Sequence, residues 1–134
     1  MKDMRFEGLS LTVENVARSL EFYRDKLQLE VVHAALPAFA LVRAGGGTIG
    51  LLSIDVAQKD GAAPTTPAQR RGIHVEFSTD DLDRLFVNLQ ARGVTFAEPP
   101  HDEPWERSMT ALDPDGYAVE FAQGRRGAAF TPRV

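Results

Sequence analysis

Apolar and polar residues alternate at the start of each half of the chain. In "GLSLTV" and "HVEFST" the alternation has a period of two, which is typical of a strand with one buried face. Apolar residues at helical spacing follow each stretch, and they predict an amphipathic helix that lies on a sheet. The apolar stripe consists of Val16, Leu20, Tyr23 and Leu27 in the first helix and of Leu82, Leu85, Phe86 and Leu89 in the second.

Polar residues before each stripe indicate where the helices begin. We predict Asn15 and Asp80 as N-caps, because their side chains accept hydrogen bonds from free backbone N–H groups of the first turn. Asp81 and Asp83 suit the first turn of the second helix, where a carboxylate interacts favourably with the helix dipole. Gly93 indicates where that helix ends.

The two halves of the chain repeat each other. Residues 8–20 align with residues 74–86, and three short strand patterns follow each helix. These patterns lie at about 29–33, 39–43 and 48–54 in the first half and at about 94–97, 107–112 and 117–123 in the second. The turn sequences "AGGG" and "DPDG" join the last two strands of each half. The sequence therefore predicts an α+β fold of two β-α-β-β-β modules with mixed sheets.

We interpret residues 1–134 as one domain built from these two modules. Module one spans about residues 5–54, and module two spans about residues 72–123. Residues 55–71 between them read as a polar linker, rich in alanine, threonine and proline. Residues 124–134 show no periodicity and are predicted to be a tail.

Composition and charge narrow the class of protein. The chain has 134 residues with a formal net charge of −4 and no stripe of Lys and Arg, which argues against a nucleic-acid partner. There is no cysteine, which suits a reducing compartment. The N-terminus has no signal-peptide core, and no stretch approaches a membrane span. We expect a soluble cytoplasmic protein with no membrane partner.

Two motifs carry a family resemblance that covers about residues 5–123. With "SLEFYRDKL" in one half and "DPDGYAVEF" in the other, the chain resembles the vicinal oxygen chelate superfamily. That superfamily includes glyoxalase I, extradiol dioxygenases, fosfomycin-modifying enzymes and bleomycin-type drug-binding proteins. The resemblance implies that each sheet curls around a cavity and that two modules form a cup, often across subunits. It therefore implies a homodimer.

In metal-using members of the superfamily, the ligands come from the first and last strands of each module. The matching positions here are Gly8, Gly50, His74 and Glu120. Gly50 falls opposite Glu120 only if the "AGGG" turn is one residue tighter, and otherwise Leu51 takes the place. Neither glycine nor leucine offers a ligand, so only the second module keeps a possible pair.

The strand period places a set of polar and small side chains on the cavity face. Ser10, Gly50, His74, Glu76 and Glu120 belong to this set. His74 and Glu120 have two interpretations: a metal pair, to which Glu76 could add a third oxygen, or a hydrogen-bonded pair in a partly buried pocket. We favour the metal-free pocket, because closed metal sites need more ligands than these. In an enzyme, the pair could also act as general base and acid.

The glycines and aromatic residues also allow alternatives. Gly8 and Gly50 fit either a close backbone approach or an enlarged cavity. Trp105, the only tryptophan, is either a packing anchor or a stacking surface beside the cavity, where Phe39 and Tyr117 could add to the wall. Two further histidines, His33 and His101, are predicted to be solvated. Phe22 lies off the helical stripe and is predicted to pack between modules or chains.

Two functions fit these observations. The first is a metal-independent binding protein, similar to the drug-binding members, that holds an amphipathic or aromatic small molecule and needs no cofactor. Its predicted ligand-binding residues are Ser10, Gly50, His74, Glu76, Trp105 and Glu120. The second is a glyoxalase-like lyase, isomerase or dioxygenase that acts on a vicinal-oxygen substrate with Zn, Ni, Mn or Fe. His74 and Glu120 would then be metal ligands, and the catalytic candidates are His74, Glu76 and Glu120.

Overall fold

The computed structural model describes residues 3–124, which divide between Thr65 and Thr66 into two compact units. Apart from Gly124, the predicted tail lies outside the described residues. No helix within residues 3–124 is both long and apolar enough to cross a bilayer.

The first unit is a four-stranded mixed sheet with helices α1 and α2. Its strands are β1 (Gly8–Val13), β2 (Val31–Ala35), β3 (Phe39–Ala44) and β4 (Gly47–Ser53), in the order β1-β4-β3-β2. β1 runs parallel to β4, and the other neighbours are antiparallel. Helix α1 (Val16–Leu20) continues as a π-helical segment (Glu21–Lys26), and α2 (Ile54–Lys59) follows β4.

The second unit repeats this topology. Helix α3 (Pro67–Arg70) precedes β5 (His74–Ser78), and α4 (Leu82–Ala91) follows it. The remaining strands are β6 (Thr95–Asp102), β7 (Arg107–Leu112) and β8 (Ala118–Gln123), in the order β5-β8-β7-β6 with β5 parallel to β8. The predicted α+β fold of two β-α-β-β-β modules is confirmed.

Strand register decides how the two modules align. Gly8 pairs with Thr48 in the first unit, as His74 pairs with Ala118 in the second. Two residues further along β4 and β8 come Gly50 and Glu120, which therefore occupy equivalent positions. The alignment with the tighter turn is correct, and the alternative position, Leu51, is fully buried.

Each sheet buries an apolar face against its helix. Fully buried side chains include Leu11, Val13, Leu20 and Leu51 in the first unit and Leu82, Leu89, Met109 and Val119 in the second. Each large apolar side chain buried in this way contributes about 1.5–3 kcal/mol. The alternation does not hold throughout β1: Leu9, which the pattern placed under the helix, is 40% exposed.

A π-helical segment explains the position of Phe22. The backbone N–H of Leu27 donates to the carbonyl of Phe22 at 2.9 Å, five residues back, which is the spacing of a π-helix. The wider turn lets both Phe22 and Tyr23 be buried, with their rings edge to face at 4.9 Å. The burial of Phe22 therefore needs no partner chain, contrary to the predicted packing between chains.

The predicted linker contains two short helices. Ser53 caps α2, and Thr66 forms a capping box with Gln69 at the start of α3. The spacing Thr-Pro-Ala-Gln is a sequence signal for this box. Buried Arg70 then donates from Nη1 to the Asp115 carbonyl at 3.0 Å, which fastens α3 to the turn between β7 and β8.

The helix starts are as predicted in one module only. Asn15 accepts a hydrogen bond from the Arg18 N–H at 3.0 Å and caps α1. In the second module the cap is Asp81, which accepts from the Arg84 N–H at 3.1 Å. The prediction of Asp80 as the cap is wrong by one residue. Asp81 lies opposite Asn15 in the repeat, so the alignment itself pointed to the correct residue.

Candidate ligand-binding cleft

A cleft of about 290 Å³ opens in the second unit. All four strands and the turn at residues 103–106 contribute to its lining. Its ten lining residues are His74, Glu76, Glu98, His101, Glu103, Trp105, Glu106, Ser108, Thr110 and Glu120. Four of the six residues predicted to bind a ligand are therefore in one cleft: His74, Glu76, Trp105 and Glu120.

His74 and Glu120 lie near each other on neighbouring strands. His74 Nδ1 is 3.8 Å from Glu120 Oε2, and the Glu120 side chain is the more buried of the two. This distance allows an ion pair when the imidazole is protonated, but it is too long for a hydrogen bond. The predicted direct hydrogen bond between them is therefore not formed. Glu76 is the register partner of Glu120 and lines the same cleft.

The residues present do not fit a complete metal site. His74 and Glu120 would supply two ligands, whereas catalytic zinc sites normally take three from the protein. The equivalent positions of the first module, Gly8 and Gly50, have no side chain. Within residues 3–124, no three His, Cys, Asp or Glu side chains form a group that could hold a metal ion.

His101 belongs to the cleft, although the sequence suggested a solvated loop residue. It lies on β6, where Glu98 pairs with Thr110 and His101 pairs with Ser108. Thr110 and Ser108 are two residues apart on β7, while Glu98 and His101 are three apart on β6. The extra residue is a bulge at Pro99-Pro100, and it places His101 on the same side of β6 as Glu98, facing the cleft. The two prolines just beyond the predicted strand pattern at 94–97 were the available signal, because proline inside a strand often marks a bulge.

The surroundings of His101 favour its charged form. Its Nδ1–H donates to the Pro99 carbonyl at 2.8 Å, and its Nε2 is 3.1 Å from Glu103 Oε1 and 3.5 Å from Glu98 Oε2. Because both ring nitrogens face acceptors, a doubly protonated ring is stabilised. The carbonyl of Pro99 contributes most to raising the pKa of His101, Glu103 and Glu98 add to it, and partial burial opposes it.

Trp105 lies in a short turn that is fixed by hydrogen bonds at both ends. The turn is closed by backbone hydrogen bonds in both directions between Glu103 and Glu106, at 2.7 and 3.4 Å. Arg107, the next residue, donates to Asp83 on α4 and to Asp102 at the end of β6. Trp105 itself is 46% exposed and lines the cleft. Its ring is therefore available for stacking, and it is not a buried packing anchor.

The two remaining predicted residues, Ser10 and Gly50, lie in the first unit, where they pair on β1 and β4. A Cβ on Gly50 would come within 2.5 Å of Ser10 Oγ and 3.4 Å of the Phe39 ring. A Cβ on Gly8, at φ +153°, would overlap the Thr48 carbonyl oxygen. Both glycines therefore permit a close approach, and the space beside Gly50 is already filled. This favours the interpretation that the glycines allow a close backbone approach over the interpretation that they enlarge the cavity.

The other aromatic and histidine candidates are not among the residues that line the cleft. Tyr117 is buried, with its backbone N–H bonded to Asp113 in the turn before β8. Phe39 lies on β3 of the first unit, 6.4 Å from the ring of exposed His33. Neither Phe39 nor Tyr117 contributes to the cleft wall, so Trp105 is its one aromatic residue among those described.

Fold and cleft together define a protein of two repeated β-α-β-β-β modules with an ionisable, partly aromatic cleft in the second. The sequence of residues 5–121 matches the family described as the Glyoxalase/Bleomycin resistance protein/Dioxygenase superfamily. This match covers most of the chain, and the protein belongs to that superfamily.

Individual relatives are more distant. The chain is 26% identical over 125 residues to the uncharacterised protein YraH of Bacillus subtilis (strain 168). The aligned region covers 88% of this chain and 97% of YraH. Among solved structures, a glyoxalase/bleomycin resistance protein/dioxygenase from Nocardioides superposes with a TM-score of 0.77 at 23% identity, covering 98% of this chain and 89% of that one. A lactoylglutathione lyase from Agrobacterium tumefaciens superposes with a TM-score of 0.73 at 21% identity, and the match covers 90% of this chain and 93% of that one. At these identities the two structures show the fold alone.

Proposed function

We propose that this protein binds an amphipathic or aromatic small molecule in the cleft of its second module, without a metal ion. The observation that carries the proposal is the meeting of His74, Glu76, Glu120 and Trp105 around one cleft of about 290 Å³. Pockets that combine a flat apolar surface with a few converging polar groups are typical small-molecule sites. Trp105 would stack on the ligand, and the polar side chains would orient it.

A metal-dependent lyase, isomerase or dioxygenase acting on a vicinal-oxygen substrate is the competing function. One observation favours it: His74 and Glu120 hold the two superfamily ligand positions of their module and lie 3.8 Å apart. The two glycines at the equivalent positions of the first module argue against it, because they leave the set incomplete.

Metal analysis separates the two functions. The purified protein and a His74→Ala variant are incubated with Zn²⁺, Ni²⁺, Mn²⁺ and Fe²⁺, desalted, and analysed for bound metal. We expect no retained metal in either. Near-stoichiometric metal in the parent protein that is lost in His74→Ala would overturn the metal-free proposal.

Ligand binding is tested by a screen that does not presuppose ligand charge. A library of neutral, cationic and anionic aromatic compounds is scored by the shift in melting temperature and by Trp105 fluorescence, with and without a chelator. Compounds that bind in the cleft should act equally in both conditions and should lose affinity in Trp105→Leu. If no compound binds, or if every compound is unaffected by Trp105→Leu, the proposed site is wrong.

Assembly and location remain part of the proposal. The resemblance to the superfamily supports a homodimer, which sedimentation analysis of the purified chain would detect. The lack of cysteine supports a reducing, cytoplasmic location, which cell fractionation would test.

A further inference from the structure

The charge of the cleft lining is strongly one-sided. Five of its ten residues are glutamates, two are histidines, and none of the ten is lysine or arginine. Even if both imidazoles were protonated, the formal charge of the lining would stay negative by three. We infer that the ligand carries a positively charged nitrogen beside an aromatic or other flat apolar group. This inference rests on the proposed function and adds the ligand's charge to it.

Part of this negative charge is already matched within the cleft. His101 contacts Glu98 and Glu103, so that cluster keeps one uncompensated negative charge when the ring is protonated. On the opposite strands, Glu120 lies 3.8 Å from His74, and Glu76 is the register partner of Glu120. Because Glu76 and Glu120 line the cleft side by side on adjacent strands, a ligand cation placed there interacts with two carboxylates at once.

Trp105 supports the same ligand class independently of the carboxylates. Its ring is 46% exposed in the turn that borders the cleft. The face of an indole attracts cations more strongly than any other aromatic side chain, and it also stacks on flat apolar groups. A ligand with a cationic head and a flat body can use the ring and the carboxylates together.

Neutral and anionic ligands use these groups less well. An anion would enter a cleft with no lysine or arginine among its ten lining residues, and like charges in a confined site repel one another. A neutral ligand would have to leave carboxylates partly desolvated without a matching charge, which is unfavourable. The hydroxyl groups of Ser108 and Thr110 could add hydrogen bonds for any of the three classes, so they do not discriminate.

Matched probes test the inference directly. The amidine, amide and carboxylate forms of benzene and of naphthalene share a shape and differ in charge. Binding is followed by the NMR shift of the Trp105 indole N–H, the only indole in the chain. We expect each amidine to bind at least about tenfold more tightly than its amide, and each carboxylate to bind least. The advantage of the amidine should shrink as NaCl is raised from about 0.05 to about 0.5 M.

Charge-removing variants locate the effect. In folded variants that keep the parent melting temperature, Glu76→Gln and Glu120→Gln should each weaken amidine binding several-fold and weaken amide binding much less. Glu21→Gln removes the same charge from an exposed position of the first module and should change neither. Equal effects of all three variants would mean that net charge alone attracts the probe, and the inference would be wrong.

Failure of the inference is distinguishable from failure of the proposed function. An amide or carboxylate that binds as tightly as its amidine overturns the cationic ligand but leaves a small-molecule site in place. If none of the probes binds, the inference of a cationic ligand is also overturned. The library screen with neutral, cationic and anionic compounds then decides whether the proposed binding site is wrong.

Discussion

The two modules share one topology and differ in chemistry. Both pair their first strand in parallel with their last and lay a helix on the sheet. At equivalent positions, however, the first module has Gly8 and Gly50 where the second has His74 and Glu120. In the first module these positions are closed by backbone and by Ser10 and Phe39, whereas in the second they border a cleft. The repeat thus specifies a shared framework, and ionisable groups at the two positions are confined to one copy.

Loss of a core leucine should lower stability more than any other change, and it should lower it by a similar amount in each module. Leu20→Ala and Leu89→Ala each remove a fully buried side chain between helix and sheet, and each should lower the free energy of unfolding by about 2–5 kcal/mol. Denaturant unfolding followed by circular dichroism measures this. Exposed Val87→Ala is the control. A cost below that of the control in either module would contradict an equivalent core.

Substitution at the equivalent positions Gly8 and His74 should show the greatest contrast between modules. Gly8→Ala places a Cβ against the Thr48 carbonyl at φ +153°, and should cost about 1–3 kcal/mol of stability. His74→Ala shortens a half-exposed side chain and should be near neutral. Thermal unfolding of both variants tests this, and equal melting temperatures would show that the glycine is not required by the backbone.

The helix caps should have equal, smaller effects in the two modules. Asn15→Ala and Asp81→Ala each remove the acceptor for a first-turn N–H, and each should cost about 1 kcal/mol. Asp80→Ala leaves the cap of α4 in place and should cost less. If denaturant unfolding finds Asp80→Ala the more harmful of the two aspartate variants, the assignment of the cap is wrong.

The smallest expected effect is a pH dependence of folding stability that His101 contributes in the second module. Because the folded state raises the pKa of His101, this residue stabilises the fold fully below its unfolded pKa of about 6.5, and the contribution is lost as pH rises through the folded pKa. His101→Gln should therefore be less stable than the parent at low pH, by at most about 1 kcal/mol, and the difference should vanish at high pH.

Unfolding measured across this pH range, with exposed His33→Gln as the control, tests the role of His101. A difference that grows with rising pH would have the wrong sign. An identical profile for the two variants would mean that the contacts of His101 with Pro99, Glu98 and Glu103 do not stabilise the charged ring.

Sequence patterns predicted the elements well where one period held over the whole element. Strand alternation and helical stripes gave both modules and their order, and the repeat gave the equivalence of Gly8 with His74. Prediction was weaker where the period broke. The π-helical turn at Phe22 and the bulge at Pro99-Pro100 each insert a residue into a regular repeat, so every face assignment beyond them shifts.

The sequence by itself determined the fold and four of the ten residues that line the candidate cleft, because hydrophobic periodicity and turn residues are local signals. It selected His74, Glu76, Trp105 and Glu120 for the cleft. Only the tertiary structure decided that Glu98, His101 and Glu103 join them, since a bulge and a tight turn orient these side chains. It also decided that the glycines of the first module serve close packing, because the atoms they would meet come from strands distant in sequence. Such contacts depend on strand register, which one local pattern does not specify.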